Sequence, residues 1–300
     1  MKKETRAPPR PSLYSKMLGR LNQKYHQYSR SPIRVRYGDF FIELPATHQL
    51  RAYQQKHPKY DKFLPFLARY VEPPGTIVDV GANVGDTLAG MVQQNPSLSY
   101  VCIEPDDFFY RYLEQNARTI AASVTGLEIQ TIKALVGQNI SSVSLDGKRG
   151  TRHAVMNSMG DIGSAPLHEL VASSGSTHIR VLKSDVDGFD YDVLDSSMPV
   201  IEAHGPMLFF ECHYDHEYQK DGYARTIHSL EAAGYRDWTL FDNFGELMVR
   251  TDNVDVVIQL MDYVWQQNTG QTTRTIHYYD ILAVQQKDSA LVGQVLAEYR

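Results

Sequence analysis

From Thr76 onward, short apolar runs alternate with stretches whose apolar residues recur every three or four positions. The runs at 76–81, 100–104, 127–135, 179–185, 206–212, 236–242 and 275–284 predict strands. The periodic stretches at 86–94, 107–120, 189–195, 223–233 and 254–267 predict helices between them. This alternation predicts an α/β fold, a mostly parallel sheet with helices on both faces.

Before Thr76 the pattern changes. Residues 34–44 alternate in polarity around Gly38-Asp39, which predicts a hairpin. Between His48 and Tyr70, the apolar residues Leu50, Tyr53, Phe63, Phe66 and Leu67 predict helices, interrupted at Pro58 and Pro65. Pro73-Pro74-Gly75 then punctuates the chain. The expected organisation is a basic arm over 1–35, a helical and hairpin extension over 36–75, and a main domain over 76–300. Within the main domain, the Gly- and Ser-rich stretch 136–178 is expected to hold an extra hairpin near Ser141–Leu145. A lid-like loop is expected through Met159-Gly160.

Composition adds bounds. With 300 residues and 42% hydrophobic residues, the chain can build a sizeable core. It has no apolar run of about 18 residues, so no transmembrane helix is expected. Its N-terminal basic residues lack an apolar h-region, so no secretory signal is expected. Cys102 and Cys212 lie in apolar runs and read as buried thiols rather than a disulfide, which fits a cytoplasmic protein. Residues 1–36 carry ten Lys and Arg against one acid, Glu4, so the arm is about +9 and the remainder −14. We expect the arm to be a solvated, partly disordered tail that wraps its own acidic body; the alternative is peripheral contact with an anionic inner membrane face or glycan. An acidic body without a basic stripe argues against nucleic acid.

The candidate chemistry begins at Ile77–Thr87, IVDVGANVGDT. An apolar strand ends at a glycine turn, and Asp86 then opens a helix, the arrangement that holds nucleotide-like ligands. A dinucleotide fingerprint needs Gly-x-Gly-x-x-Gly, but Asn83 takes the middle position, the third glycine is absent, and Thr87 stands where a small residue would pack. That disfavours a dinucleotide oxidoreductase. Asp79 at the strand end suits a cationic amino acid group better than a phosphate. Glu104 ends the next apolar run, at the place from which an acid reaches ribose hydroxyls. These acids, with Gly81, Asn83, Gly85 and Thr87, point to S-adenosylmethionine as cofactor.

A second group of ionisable residues follows later strands. Lys183, Asp185, Asp187 and Asp190 crowd one end, where Asp190 reads mostly as a helix cap and Asp185, read as still on the strand, as a site residue. Glu211, His213, Asp215 and His216 crowd the next, with Glu211 and His213 on one face of an extended strand. Asp185, Glu211 and His213 are the expected catalytic residues, and His213 is the candidate general base. Asp185 and Glu211 could instead hold a divalent metal such as Mg²⁺. Tyr214, Tyr218, Tyr278, Tyr279, Trp238 and Trp265 are read as core.

VDVGANVGDT (78–87), IEPDDFFYRYLEQNA (103–117), LKSDVDGFDYDVL (182–194), LFFECHYD (208–215) and DILAV (280–284) together resemble the FkbM family of S-adenosylmethionine-dependent methyltransferases. The resemblance implies a Rossmann-like, seven-stranded methyltransferase sheet whose last strand is antiparallel. It also implies O-methyl transfer, often to a sugar of a polysaccharide, glycolipid or glycosylated product, hence a carbohydrate-containing acceptor. The chain departs from the family where Asp-x-Glu-Gly-Ala-Glu is common, reading Asp185-Val186-Asp187-Gly188-Phe189-Asp190. A non-catalytic binding or scaffold protein on the same fold is the alternative reading.

Overall fold

A computed structural model describes residues 31–137, 143–146, 153–156, 164–172, 175, 178–269 and 275–299. Most of the basic arm, residues 141 and 142, and the loop through Met159-Gly160 lie outside them.

The extension opens with a hairpin, β1 (Ile33–Tyr37) and β2 (Phe40–Leu44), joined at Gly38-Asp39 as the alternation predicts. Helices α1 (Leu50–Lys56) and α2 (Phe63–Ala68) follow. Pro58 lies between them, but Pro65 does not interrupt; it sits in the first turn of α2, where its missing N–H costs nothing.

The main domain runs β3 (Thr76–Val80), α3 (Asp86–Gln94), β4 (Ser99–Ile103), α4 (Asp107–Ser123) and β5 (Glu128–Ile132). Short pieces come next: β6 (Leu135–Val136), β7 (Val143–Asp146), β8 (His153–Met156), β9 (Ser164–Ala165) and α5 (Leu167–Ala172). Strands β7 and β8 pair as a hairpin, so the expected extra hairpin spans a longer stretch than Ser141–Leu145. The chain closes with β10 (Ile179–Ser184), α6 (Asp190–Ser196), α7 (Met198–His204), β11 (Met207–Cys212), α8 (Glu217–Ala232), β12 (Tyr235–Asp242), β13 (Leu247–Thr251), α9 (Val254–Thr269), β14 (Tyr279–Gln285) and α10 (Gln286–Glu298).

One sheet has the order β13-β12-β14-β11-β10-β3-β4-β5. Strands β5, β4, β3, β10 and β11 are parallel, and β14 inserts antiparallel between β11 and β12. This is the Rossmann-like methyltransferase sheet with its last strand reversed. It has eight strands rather than seven, because Leu247–Thr251 turns back and pairs with β12 at the edge.

Side-chain alternation splits the core across the sheet. One face, with Phe209, Phe241 and Leu282, packs under the extension, α3, α4 and α10. The other, with Val80, Leu182, Phe210 and Ile281, packs under α6 to α9. The extension is thus part of the domain's own core. Asn116 of α4 ties it down, accepting from the Glu43 amide at 2.8 Å and donating to the Glu43 carbonyl at 2.9 Å. The same amide group donates to the Val84 carbonyl at 2.8 Å, joining the hairpin to the glycine turn.

Candidate active site

The parallel strands all end on one edge of the sheet. Register places Asp79 of β3 beside Lys183 of β10, and Glu211 of β11 beside Asp280 of β14. These four lie on the face that the extension covers.

The glycine turn begins just past β3. Gly81 has φ +76°, and a Cβ there would stand 2.0 Å from the Asp185 carbonyl oxygen. Only glycine lets the β3 and β10 ends approach so closely. Glu104, buried at the end of β4, accepts from the Asn83 amide and the Asp106 amide at 2.9 Å each. Burial pushes its pKa up to about 7, against the pull of those two amides. Each oxygen of a carboxylate has a second lone pair, so Glu104 can accept two ribose hydroxyls as well. A tight glycine turn, a helix N-terminus and a buried acid with spare acceptors fit the adenosyl end of S-adenosylmethionine.

Asp79 is fully buried, and its charge meets the Lys183 ammonium at 2.9 Å rather than an open loop. That ammonium also donates to the Gly81 carbonyl at 3.1 Å and lies 3.4 Å from Asp185. Burial pushes the Asp79 pKa up while Lys183 pulls it down. Burial opposes the Lys183 charge, but Asp79 and Asp185 outweigh it and hold the pKa above the usual lysine range. We read the pair as ionised, each charge offsetting the other's desolvation. Thr87 is placed elsewhere, on a cleft between α3 and the extension.

Asp185 follows the last residue of β10 instead of lying on it, though its amide still donates to Val80 at 3.1 Å. Asp190 does not cap its helix. Its carboxylate accepts from the Ser184 hydroxyl at 2.6 Å, the Val186 amide at 3.2 Å and the Tyr223 hydroxyl at 3.1 Å, which pins the strand-to-helix loop. Asp187 holds φ +54°, unusual for a non-glycine residue. Burial raises both carboxyls to about 7.

Glu211 is buried, and burial first, then Asp185, Asp187, Asp190 and Asp280, push its pKa well up. That shift favours its protonated form. His213 stands between acids, with Nδ1 3.9 Å from Glu211 Oε2 and Nε2 3.6 Å from Asp215 Oδ2. Asp185, Glu211 and His213 are thus brought to one strand-end region. Among the described residues, no three His, Cys, Asp or Glu are arranged to hold a metal, so the Mg²⁺ reading of Asp185 and Glu211 gains no geometric support.

Sequence reasoning missed four site residues. Asp280 joins Glu211 across the sheet, and its pKa is likewise pushed well up by burial and by Asp185 and Asp61. Tyr60 and Asp61 come from the extension, and Tyr60 hydrogen-bonds to Tyr278. Tyr278 is therefore a site residue rather than plain core; its ring lies 6.0 Å from that of His213. Tyr218 is not core either, being 49% exposed and stacked on His216. Tyr214, Tyr279 and Trp238 are buried as expected, and Cys102 and Cys212 are free, buried thiols.

Residues 79–236, more than half of the chain, match the Methyltransferase FkbM domain. The chain belongs to the FkbM methyltransferase family. No curated protein matches it. Among solved structures it is similar to a methyltransferase FkbM from Methylobacillus flagellatus KT, at 14% identity and TM-score 0.35, over 55% of this chain and 48% of that one. It thus spans about half the length of that relative. It is also similar to the plantazolicin methyltransferase BpumL in complex with SAH, at 10% identity and TM-score 0.40, over 79% and 89% of the two chains. A third similarity is to an rRNA methylase from Streptococcus thermophilus, at 13% identity and TM-score 0.40, over 74% and 94%. In this family member, no helix among the described residues is long and apolar enough to cross a membrane.

Proposed function

We propose that this chain transfers a methyl group from S-adenosylmethionine to a hydroxyl oxygen of a sugar, in a glycan, a glycolipid or a glycosylated metabolite. Family membership supports methyl transfer. The observation that carries the cofactor reading is Glu104, buried beside the glycine turn with both oxygens aligned by backbone amides. Gly81, Asn83 and Gly85 line the same turn, and Asp79 acts through Lys183 to shape it.

The cofactor brings an activated methyl group; the protein must aim the acceptor oxygen and take its proton. His213 is placed to take that proton, held between Glu211 and Asp215. Glu211, whose burial favours the protonated form, donates a hydrogen bond to the acceptor. Asp185, ion-paired to Lys183 at the β10 end, accepts one.

The test is transfer of isotope-labelled methyl to a panel of glycans and glycosides, followed by mass spectrometry of the product. Label on a sugar oxygen supports the reading. S-adenosylmethionine binding without transfer to any member points to a binding protein on this fold. Label on nitrogen or carbon overturns the O-methyl assignment.

A further inference from the structure

A cleft of about 200 Å³ opens between the extension and α3. Its inner end is Asp61 and Asp86, beside the glycine turn; its outer end is Gln93 and Gln94, at the far end of α3. Asp61 stands where the cleft meets the strand ends, because it interacts electrostatically with Asp86 on one side and with Asp185 and Lys183 on the other. None of the chemistry above uses this space.

The way Asp61 is held argues against an accidental loop. The segment leading into it is fastened to the turn between β12 and β13. The His57 ring stacks on Phe244 with centroids 3.9 Å apart, and Lys59 pairs with Glu246 at 2.8 Å. Tyr299 donates to the Lys59 carbonyl at 3.3 Å, and Gly245 is so close that a Cβ would lie 2.3 Å from that carbonyl oxygen. At the end of this fastened segment, Asp61 adopts φ +54°, a conformation disfavoured for non-glycine residues. Anchoring on one side and a left-handed residue on the other deliver one carboxylate to the junction.

The lining specifies a ligand class. Asp61 and Asp86 accept from hydroxyls, Lys62 donates, the Gln54 and Gln93 amides both donate and accept, and Tyr37, Pro65, Phe66 and Tyr299 supply ring surfaces to the lining. Such alternation of polar groups and rings suits a pyranose. The volume falls below the range of about 300–1,000 Å³ usual for larger ligands, which suits one ring.

We propose that this cleft holds a second sugar ring of the acceptor, next to the ring that receives the methyl group, and that Asp61, supplied by the extension, holds that second ring by one of its hydroxyls. The proposal rests on the methyl-transfer reading and narrows it. Asp61 is exposed by surface area, although protein crowds its carboxyl on the cleft side; that crowding, then Asp86 and Asp185, push its pKa up to about 8. Lys183 and Lys62 pull the other way, while Asp280 on β14 faces the same carboxyl. Acceptor affinity therefore rises with pH as Asp61 ionises.

The test uses the full chain saturated with S-adenosylhomocysteine, and saturation-transfer NMR with methyl α-glucoside, methyl α-mannoside and methyl α-rhamnoside as probes. Wild type is expected to bind at least one glycoside, more tightly at pH 9 than at pH 6.5. Asn tolerates left-handed backbone, so Asp61→Asn should fold. It should weaken that glycoside about tenfold or more and flatten the pH dependence, since it removes a charge-assisted hydrogen bond. Gln94 is exposed at the outer end, and Gln94→Trp should block the cleft and abolish the signal. S-adenosylhomocysteine affinity should stay within twofold in both variants. Glycoside binding that survives Gln94→Trp overturns the cleft assignment. Wild-type affinity in Asp61→Asn overturns the role of Asp61, and no binding of any glycoside overturns the ligand class. Failure of wild type to bind S-adenosylhomocysteine would instead contradict the methyl-transfer reading itself.

Discussion

Glu211 carries the sharpest consequence at the scale of single residues. Burial, then Asp185, Asp187, Asp190 and Asp280, favour the neutral form of this carboxyl, and a neutral acid resembles an amide in shape and charge. Glu211→Gln should therefore keep the melting temperature at or above wild type. It should retain methyl transfer within about threefold, because the amide still donates. Glu211→Ala should lose more, through the cavity and the lost donor. Thermal melts and initial rates of both variants check this; a large loss in Glu211→Gln would mean the residue works ionised. Glu104 and the glycine turn were legible in the sequence because strand, turn and acid lie within 28 residues of one another, from Ile77 to Glu104. Asp79 was legible as a strand-end acid, but its partner was not, since only the β3–β10 register brings Lys183 to it. Asp61 and Asp280 carried no local signal: one sits between two short helices, the other inside a strand that reads as apolar.

Among the elements, the segment between α1 and α2 brings Tyr60 and Asp61 to the strand-end acids. Its anchor is the turn between β12 and β13, where Gly245 has φ +81° and touches the Lys59 carbonyl. Gly245→Ala should strain that turn and push the segment away, costing about 1–3 kcal/mol. It should raise the acceptor KM more than it changes S-adenosylhomocysteine affinity, because the cofactor turn is tied down separately through Asn116. Limited proteolysis near residues 57–62 together with steady-state kinetics would show it. Unchanged proteolysis and KM would mean the anchor is dispensable. Every strand from β3 to β12 that belongs to the main sheet was visible as an apolar run. Strand β13 escaped because its pattern is mostly solvent-facing, with Leu247 and Met248 exposed, so it looks like loop. The predicted final strand began too early; residues 275–278 are irregular, and the pairing with β11 starts at Tyr279.

For the whole molecule, the concentration of raised carboxyls sets the pH dependence of stability. Glu104, Asp187 and Asp190 all titrate near 7 in the fold, through burial first, against about 4 in an unfolded chain. The native state thus holds more protons than the unfolded state between those values, and stability must fall as pH rises through them. The ligand-free protein should melt at a lower temperature at pH 8.5 than at pH 6, and S-adenosylhomocysteine should narrow that gap by occupying the site. Melting scans across this range decide it; a rise in melting temperature with pH would show these carboxyls to be held ionised.

The central claim is that Glu104 and the glycine turn form an S-adenosylmethionine site. Calorimetry of S-adenosylhomocysteine with wild type and Glu104→Gln tests it most directly. Wild type should bind with 1:1 stoichiometry, more tightly at pH 8 than at pH 6 as Glu104 ionises near 7. Glu104→Gln should bind about tenfold more weakly and lose that pH dependence. No heat of binding to the folded wild type, or equal affinity in the variant, would contradict the account.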